Sequence, residues 1–134
     1  MKAVLDTNIF ISGIHWAGSS QKILRSWFLG RFTLVSSMPI IEEIVATLIS
    51  FKITMESEDI LRWESIIIEK SLLVTPKEKV SIVKRDPDDD KFIEAALEGN
   101  ADYIVSMDKH LLEIEEHKGI KIITPNEFLK LIDF

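Results

Sequence analysis

Residues 88–108 run Asp88-Asp89-Asp90-Lys91-Phe92-Ile93-Glu94-Ala95-Ala96-Leu97-Glu98-Gly99-Asn100-Ala101-Asp102-Tyr103-Ile104-Val105-Ser106-Met107-Asp108. Two periodicities meet there. Asp89, Phe92, Ile93 and Ala96 recur at i, i+3, i+4 and i+7, so they share one helix face. The spacing predicts a helix over 88–98, stopped by Gly99-Asn100. Tyr103–Ser106 is a short apolar run of β type, and Asp108 comes just after it. A helix feeding a short buried strand is the unit of a parallel sheet flanked by helices.

The same alternation extends in both directions. Ala3–Leu5 reads as a first strand, followed by a loop through Gly13 and Gly18 and a helix over Gln21–Leu29. Phe32–Val35 reads as a second strand. Pro39 then opens a helix that carries Ile40, Ile41, Ile44, Val45 and Leu48 at helical spacing. A further helix is expected over Ser57–Lys70 and a third strand over Leu72–Thr75. Beyond Ser106, a short helical stretch at Leu111–Glu116 ends at Gly119, and Ile120–Ile123 is a fifth strand. Thr124-Pro125-Asn126-Glu127 has the form of a capping box with proline at the first helical position, launching a helix over Pro125–Leu131. The expected fold is a three-layer α/β/α domain spanning 1–134, with a central parallel sheet of about five strands.

Composition narrows the chemistry. The 134 residues include no cysteine, which removes thiolate catalysis and zinc–sulfur sites. The hydrophobic fraction of 46% is that of a globular domain, no stretch reaches a membrane-spanning length, and the N-terminal apolar run is too short for a signal peptide. A cytoplasmic protein is expected. The net charge of −6 argues against holding nucleic acid by bulk electrostatics, yet bound cations can invert a local acidic field. There is no nucleophile elbow, phosphate-binding loop or dinucleotide fingerprint, and the three histidines lack metal-ligand spacing.

The acids remain. Ligands of open parallel sheets bind outside the carboxyl ends of the strands, where Asp6 and Asp108 both fall. Asp89 tops an apolar helix face, whereas Asp90 shares its face with Ile93, Glu94 and Leu97, a more mixed surface. Asp88 reads as an N-cap and Asp86, before Pro87, as a turn former. Glu43 lies at the edge of its helix's apolar stripe, where spacing alone does not distinguish it from a surface glutamate. Converging carboxylates suit Mg²⁺ or Mn²⁺, which take hard oxygen ligands and assist phosphodiester hydrolysis. His110, two residues past Asp108, is a candidate assistant; His117 reads as a surface residue of a Glu-rich helix.

Three strings, in order, resemble the PIN-domain ribonucleases: Val4-Leu5-Asp6-Thr7-Asn8, Arg85–Ala96 and Ala101–Leu112. The resemblance covers essentially the whole chain and is strongest to toxin components of toxin–antitoxin pairs. It implies a Mg²⁺- or Mn²⁺-dependent endoribonuclease with Asp6, Glu43, Asp89 and Asp108 as the acidic set. Asn8 and Ser106 match polar residues of that pocket, and Asp90 is the alternative to Asp89. Met107 departs from the family's frequent glycine. The implied partners are an RNA substrate, a small antitoxin and a second copy of the chain. Trp16, Trp27, Phe28 and Trp63 are candidates for partner-facing surface, and Trp16 for stacking on a base. An Asp-based phosphatase and a catalytically silent RNA- or protein-binding module stand as alternatives.

Overall fold

The computed structural model describes residues 1–132. Four of the five parallel strands are β1 (Lys2–Leu5), β2 (Thr33–Ser37), β3 (Ser71–Val74) and β4 (Tyr103–Val105). A two-residue strand, β5 (Glu116–His117), turns into β6 (Ile120–Ile123), giving the order β3-β2-β1-β4-β6-β5. All neighbours are parallel except β5 and β6. Five strands thus run parallel, as expected, and the two-residue β5 adds an antiparallel sixth at the edge. The sequence reading placed a helix across 111–116, whereas a helical turn, α6 (Lys109–Leu112), ends early and positive φ at Glu115, Lys118 and Gly119 folds the chain back as a hairpin. His117 accordingly lies in a strand, half-buried, and not on a helix.

Around the sheet are α1 (Thr7–His15), α2 (Ser19–Phe28), α3 (Met38–Ser50), α4 (Ser57–Glu69), α5 (Asp90–Glu98) and α7 (Pro125–Ile132). The capping box forms as expected: Glu127 Oε1 accepts from Thr124 N at 3.0 Å, and Thr124 Oγ1 accepts from Glu127 N at 3.2 Å. Helix α5 packs across β1, β2 and β4, while α2 joins α1 to α7, so helices enclose the sheet in three layers. Phe10, Phe92 and Phe128 are fully buried in the core between them.

Helix α1 replaces the loop expected after β1. Gly13, read there as a loop signal, sits inside the helix because α2 crosses it closely. A Cβ at Gly13 would stand 2.9 Å from the Ser20 carbonyl oxygen and 2.7 Å from Leu24 Cδ1. The glycine is a packing requirement rather than a turn. Gly99 serves the same end beneath β2, where a Cβ would meet Val35 Cγ1 at 2.5 Å. Asn100, at φ 52°, makes the left-handed step that ends α5.

Register positions the site. Leu5 pairs with Val105 in the parallel β1–β4 ladder, so Asp6 and Ser106 leave the sheet side by side. The central acidic run splits into a single 3-10 turn over Pro87–Asp89, then α5. Asp86 caps that turn, and Asp88, expected as the N-cap, is exposed within it.

Candidate functional site

Ser106 is the hub of the sheet edge. Fully buried, it donates from Oγ to Asp6 Oδ2 at 2.6 Å and accepts from the Asp108 backbone N–H at 2.9 Å. One hydroxyl thus orients the first strand's acid and fixes the backbone that carries the fourth strand's acid. Asp6 N donates to Val105 O at 3.0 Å, closing the same unit. Met107, the departure from glycine, is exposed and turns out of this unit. Asn8 is exposed in the first turn of α1.

Glu43 comes in from α3. Its Oε2 accepts from the Thr7 hydroxyl, and its Oε1 pairs with Lys91 Nζ at 2.5 Å. Thr7 follows Asp6 and Lys91 begins α5, so Glu43 ties three elements together. It is half-buried, whereas its neighbour Glu42 is exposed.

The two adjacent acids of the central run face different ways. Asp90 is buried, and its Oδ1 accepts from the backbone N–H groups of Ile82 at 2.9 Å and Val83 at 2.8 Å. Its carboxylate satisfies the strap that precedes the 3-10 turn. Asp89 instead turns toward Asp108, with Asp86 and Asp6 nearby. Sequence reasoning missed that α5 carries a ladder of such anchors. Glu94 accepts from Val80 N and Glu98 from Lys77 N, each at 3.0 Å. The i, i+4, i+8 spacing of Asp90, Glu94 and Glu98 was the available signal.

The electrostatics are those of crowded like charges. Asp89 is pushed up to about 8 from 3.8, first by burial, then by its hydrogen bond with Asp108 and the charges of Asp86, Asp6 and Asp108. Asp6 is also raised, first by burial and further by Glu43 and Asp108, against the opposing pull of Ser106 and the Asn8 backbone amide. A hydrogen bond between two carboxyls requires a proton. When both are ionised neither can donate, and Asp108 Oδ2 lies buried without a hydrogen-bond partner among the described residues.

The donor set fits a hard divalent cation: carboxylates, an orphaned buried oxygen and unneutralised negative charge. Among the described residues no three acids or histidines already converge as a cage. The geometry gives one reason, since Glu43 is paired with Lys91 rather than turned to the other acids.

A family model described as PIN domain matches residues 2–110. The chain belongs to the PIN-domain family. A relative among curated proteins, an uncharacterized protein of Methanocaldococcus jannaschii, is 32% identical over 97% of this chain and 90% of its own length. The fold is shared with VapBC-1 from nontypeable Haemophilus influenzae at a TM-score of 0.63 and 17% identity, covering 94% of this chain and 99% of that one. PAE2754 from Pyrobaculum aerophilum matches at 0.63 and 14%, covering 99% and 90%. VapBC2 from Rickettsia felis, bound to a DNA fragment from its promoter, matches at 0.60 and 14%, covering 92% and 98%. PIN domains are in general nucleases, and the acids gathered at this PIN sheet edge are of the kind that hydrolysis of a phosphodiester uses.

Trp16 lies elsewhere. It caps the C-terminal end of α1, whose N-cap is Asp6, and so stands about 15 Å along the helix from that acid. There it joins His15 and Phe51 in an aromatic group next to an apolar groove of about 450 Å³ that His15 lines with Ile14, Phe28, Met55 and Trp63. Trp27 is core, its Nε1 donating to Lys70 O at 2.9 Å. No helix among the described residues is long and apolar enough to cross a membrane.

Proposed function

We propose that this PIN domain is a Mg²⁺- or Mn²⁺-dependent endoribonuclease and the toxin of a toxin–antitoxin pair. The observation that carries the reading is the buried, unpartnered Asp108 Oδ2 facing an Asp89 carboxyl raised to about 8. A fold that crowds carboxylates at this cost stores an unmet demand for positive charge.

Asp6, Asp89 and Asp108 would hold the cation, with Glu43 closing the opposite wall and Asn8 within the same turn as Asp6. When bound, the cation supplies charge neutralisation, activation of a water and stabilisation of the departing oxygen. The chain's own residues orient and exclude. Ser106 locks the Asp6 carboxylate and the Asp108 backbone, so neither needs reordering when substrate arrives. Thr7 positions one oxygen of Glu43 while Lys91 occupies the other in the metal-free state, and the Asp90 anchor keeps Asp89 at the mouth of the site. Asp89, pushed up to about 8, retains its proton at neutral pH, and cation binding must expel it.

The partner reading rests on two supports: VapBC assemblies share the fold, and the exposed Trp16 and Phe28 with the half-buried Trp63 lie at a largely apolar groove. An antitoxin segment is the proposed occupant of that face, and a homodimer the proposed toxin form. The phosphatase alternative is disfavoured because Asp6, its required nucleophile, is buried with one oxygen held by Ser106.

The test is cleavage of single-stranded and structured RNAs with Mg²⁺, Mn²⁺ or EDTA, using Asp6→Asn and Asp89→Asn purified in parallel. Metal-dependent cleavage lost in both variants is expected. Cleavage that persists in both would assign it to a contaminant and defeat the proposal. Absence of both cleavage and metal binding at millimolar concentration would favour the silent module.

A further inference from the structure

The chain is acidic overall, but the strap between β3 and the 3-10 turn is not. Residues 77–85, Lys-Glu-Lys-Val-Ser-Ile-Val-Lys-Arg, carry four of the sixteen lysines and arginines against one acid. Lys77, Lys79, Lys84 and Arg85 are all exposed. The strap's backbone is spent on α5, where Glu98, Glu94 and Asp90 receive the N–H groups of Lys77, Val80, Ile82 and Val83. Its conformation is therefore fixed while its cationic side chains stay in solvent. Among the described residues Lys77, Lys84 and Arg85 make no ion pair, and Lys79 reaches Glu94 only at 4.0 Å while 88% exposed. Cations kept apart from abundant carboxylates are available to an anionic ligand.

Their position relative to the acids is specific. Arg85 immediately precedes Asp86, whose carbonyl receives the Asp89 N–H at 2.9 Å. Lys84 and Arg85 share a concavity of about 230 Å³ with His110, from the helical turn that Asp108 caps, and with one acid, Glu113, just past that turn. The walls of that concavity are thus the two segments that carry Asp89 and Asp108. The concavity that Lys79 and Lys91 line is different in charge, because Glu42, Asp88, Asp90 and Glu94 line it too and Lys91 is paired with Glu43. The cationic flank of the acidic centre is therefore the one at Lys84 and Arg85, and a polyanion leaving the strap there would meet the segments that carry Asp89 and Asp108.

We propose that the strap 77–85 is a rail for the RNA backbone, with Lys84, Arg85 and His110 taking the phosphates next to the scissile bond and Lys79 a phosphate farther along. This rests on the ribonuclease reading for its ligand but not for its geometry. It also answers the charge problem that the sequence posed: a chain of net charge −6 needs a local basic track to hold RNA.

The experiment is fluorescence anisotropy with a labelled single-stranded RNA of mixed sequence, in EDTA so that no cleavage intervenes, across a salt series. Each phosphate contact on a single strand contributes about 0.7 to the slope of log K against log salt. The double variant Lys84→Gln/Arg85→Gln is expected to lower the slope by about 1.4 and to weaken binding about tenfold. Lys22→Gln/Lys121→Gln, which removes two exposed lysines elsewhere, should leave the slope unchanged. Equal slopes for the two double variants, or no RNA binding by the unaltered protein, would overturn the rail. Thermal melts establish that each variant is folded, and single Lys79→Gln repeats the measurement with about half the effect. Cleavage is assayed separately. A lowered slope without any metal-dependent cleavage would leave the rail standing and retire the ribonuclease, whereas cleavage with an unaltered slope would do the reverse.

Discussion

Replacing Asp89 by asparagine should stabilise the metal-free protein at pH 8 and do nothing for it near pH 4. The carboxyl is raised to about 8 from 3.8, so the folded chain binds a proton here that the unfolded chain has released. Where the native state binds more protons, stability falls as pH rises. The penalty is absent below about pH 4, grows through the window from 4 to 8, and is complete above it. One pKa unit corresponds to about 1.4 kcal/mol, but Asp89 is only half-buried. Solvent screening reduces the expected cost to about 2 kcal/mol at pH 8. An amide in its place removes the charge and can still donate to Asp108. The melting temperature in EDTA should rise by roughly 6–10 °C at pH 8, converging with the unaltered protein near pH 4.

Mn²⁺ should invert the order. A cation binding only the folded state stabilises by RT ln(1 + [L]/Kd), about 2.7 kcal/mol at a hundredfold excess over Kd. The unaltered protein should gain this at pH 8, and Asp89→Asn most of it should lose. The assay is a set of melts across pH with EDTA or Mn²⁺. A variant that is less stable than the parent at pH 8 in EDTA would refute the reasoning, because Asp89 would then be stabilising the fold as an anion.

Three further outcomes follow from named contacts. Asp90→Ala strips two backbone amides of their acceptor and should cost about 2–3 kcal/mol, with faster hydrogen exchange at Ile82 and Val83; unchanged exchange would show that water substitutes for it. Gly13→Ala gains helix propensity of about 1 kcal/mol but forces a Cβ against the Ser20 carbonyl, so denaturant titration should show a net loss of about 1 kcal/mol, and a net gain would mean α2 moves freely. Lys91→Met frees Glu43 from its ion pair, so calorimetric Mn²⁺ affinity should tighten several-fold, whereas weakening would mean that Lys91 holds Glu43 in its ligating position.

The alternation of strands and helices was legible because both periods are strong here: Tyr103–Val105 and Ile120–Ile123 are short apolar runs, and Ile40, Ile41, Ile44 and Leu48 mark one buried face. Helix α1 was hidden because its glycine answers to a neighbouring helix, which local sequence does not reveal. The β5–β6 hairpin was hidden because two residues carry no period, and its two-residue turn places Lys118 rather than the usual asparagine or glycine at positive φ ahead of Gly119. Adjacency of Asp6 and Asp108 could be read from strand ends, but Ser106 as the bridge between them could not, since it follows from the Leu5–Val105 register. Glu43 gave no signal of its own; its place depends on Thr7 and Lys91, far away in the chain.

The run of acids at 86–90 shows why composition misleads at such a site. Five positions hold four aspartates, and a uniform reading makes them either a charged helix start or a ligand cluster. The structure divides the labour between neighbours. Asp90 is buried yet costs little, because two backbone N–H groups satisfy its charge. Asp89, one residue earlier, is less buried yet strongly perturbed, because what it meets are other carboxylates. Burial therefore does not rank these acids by how strongly they are perturbed; the sign of the nearest partner does. The first aspartate is fully answered by the protein and acts as a brace. The second is left unanswered and so is available to a ligand from outside, and the brace holds it there against the repulsion that would otherwise turn it into solvent.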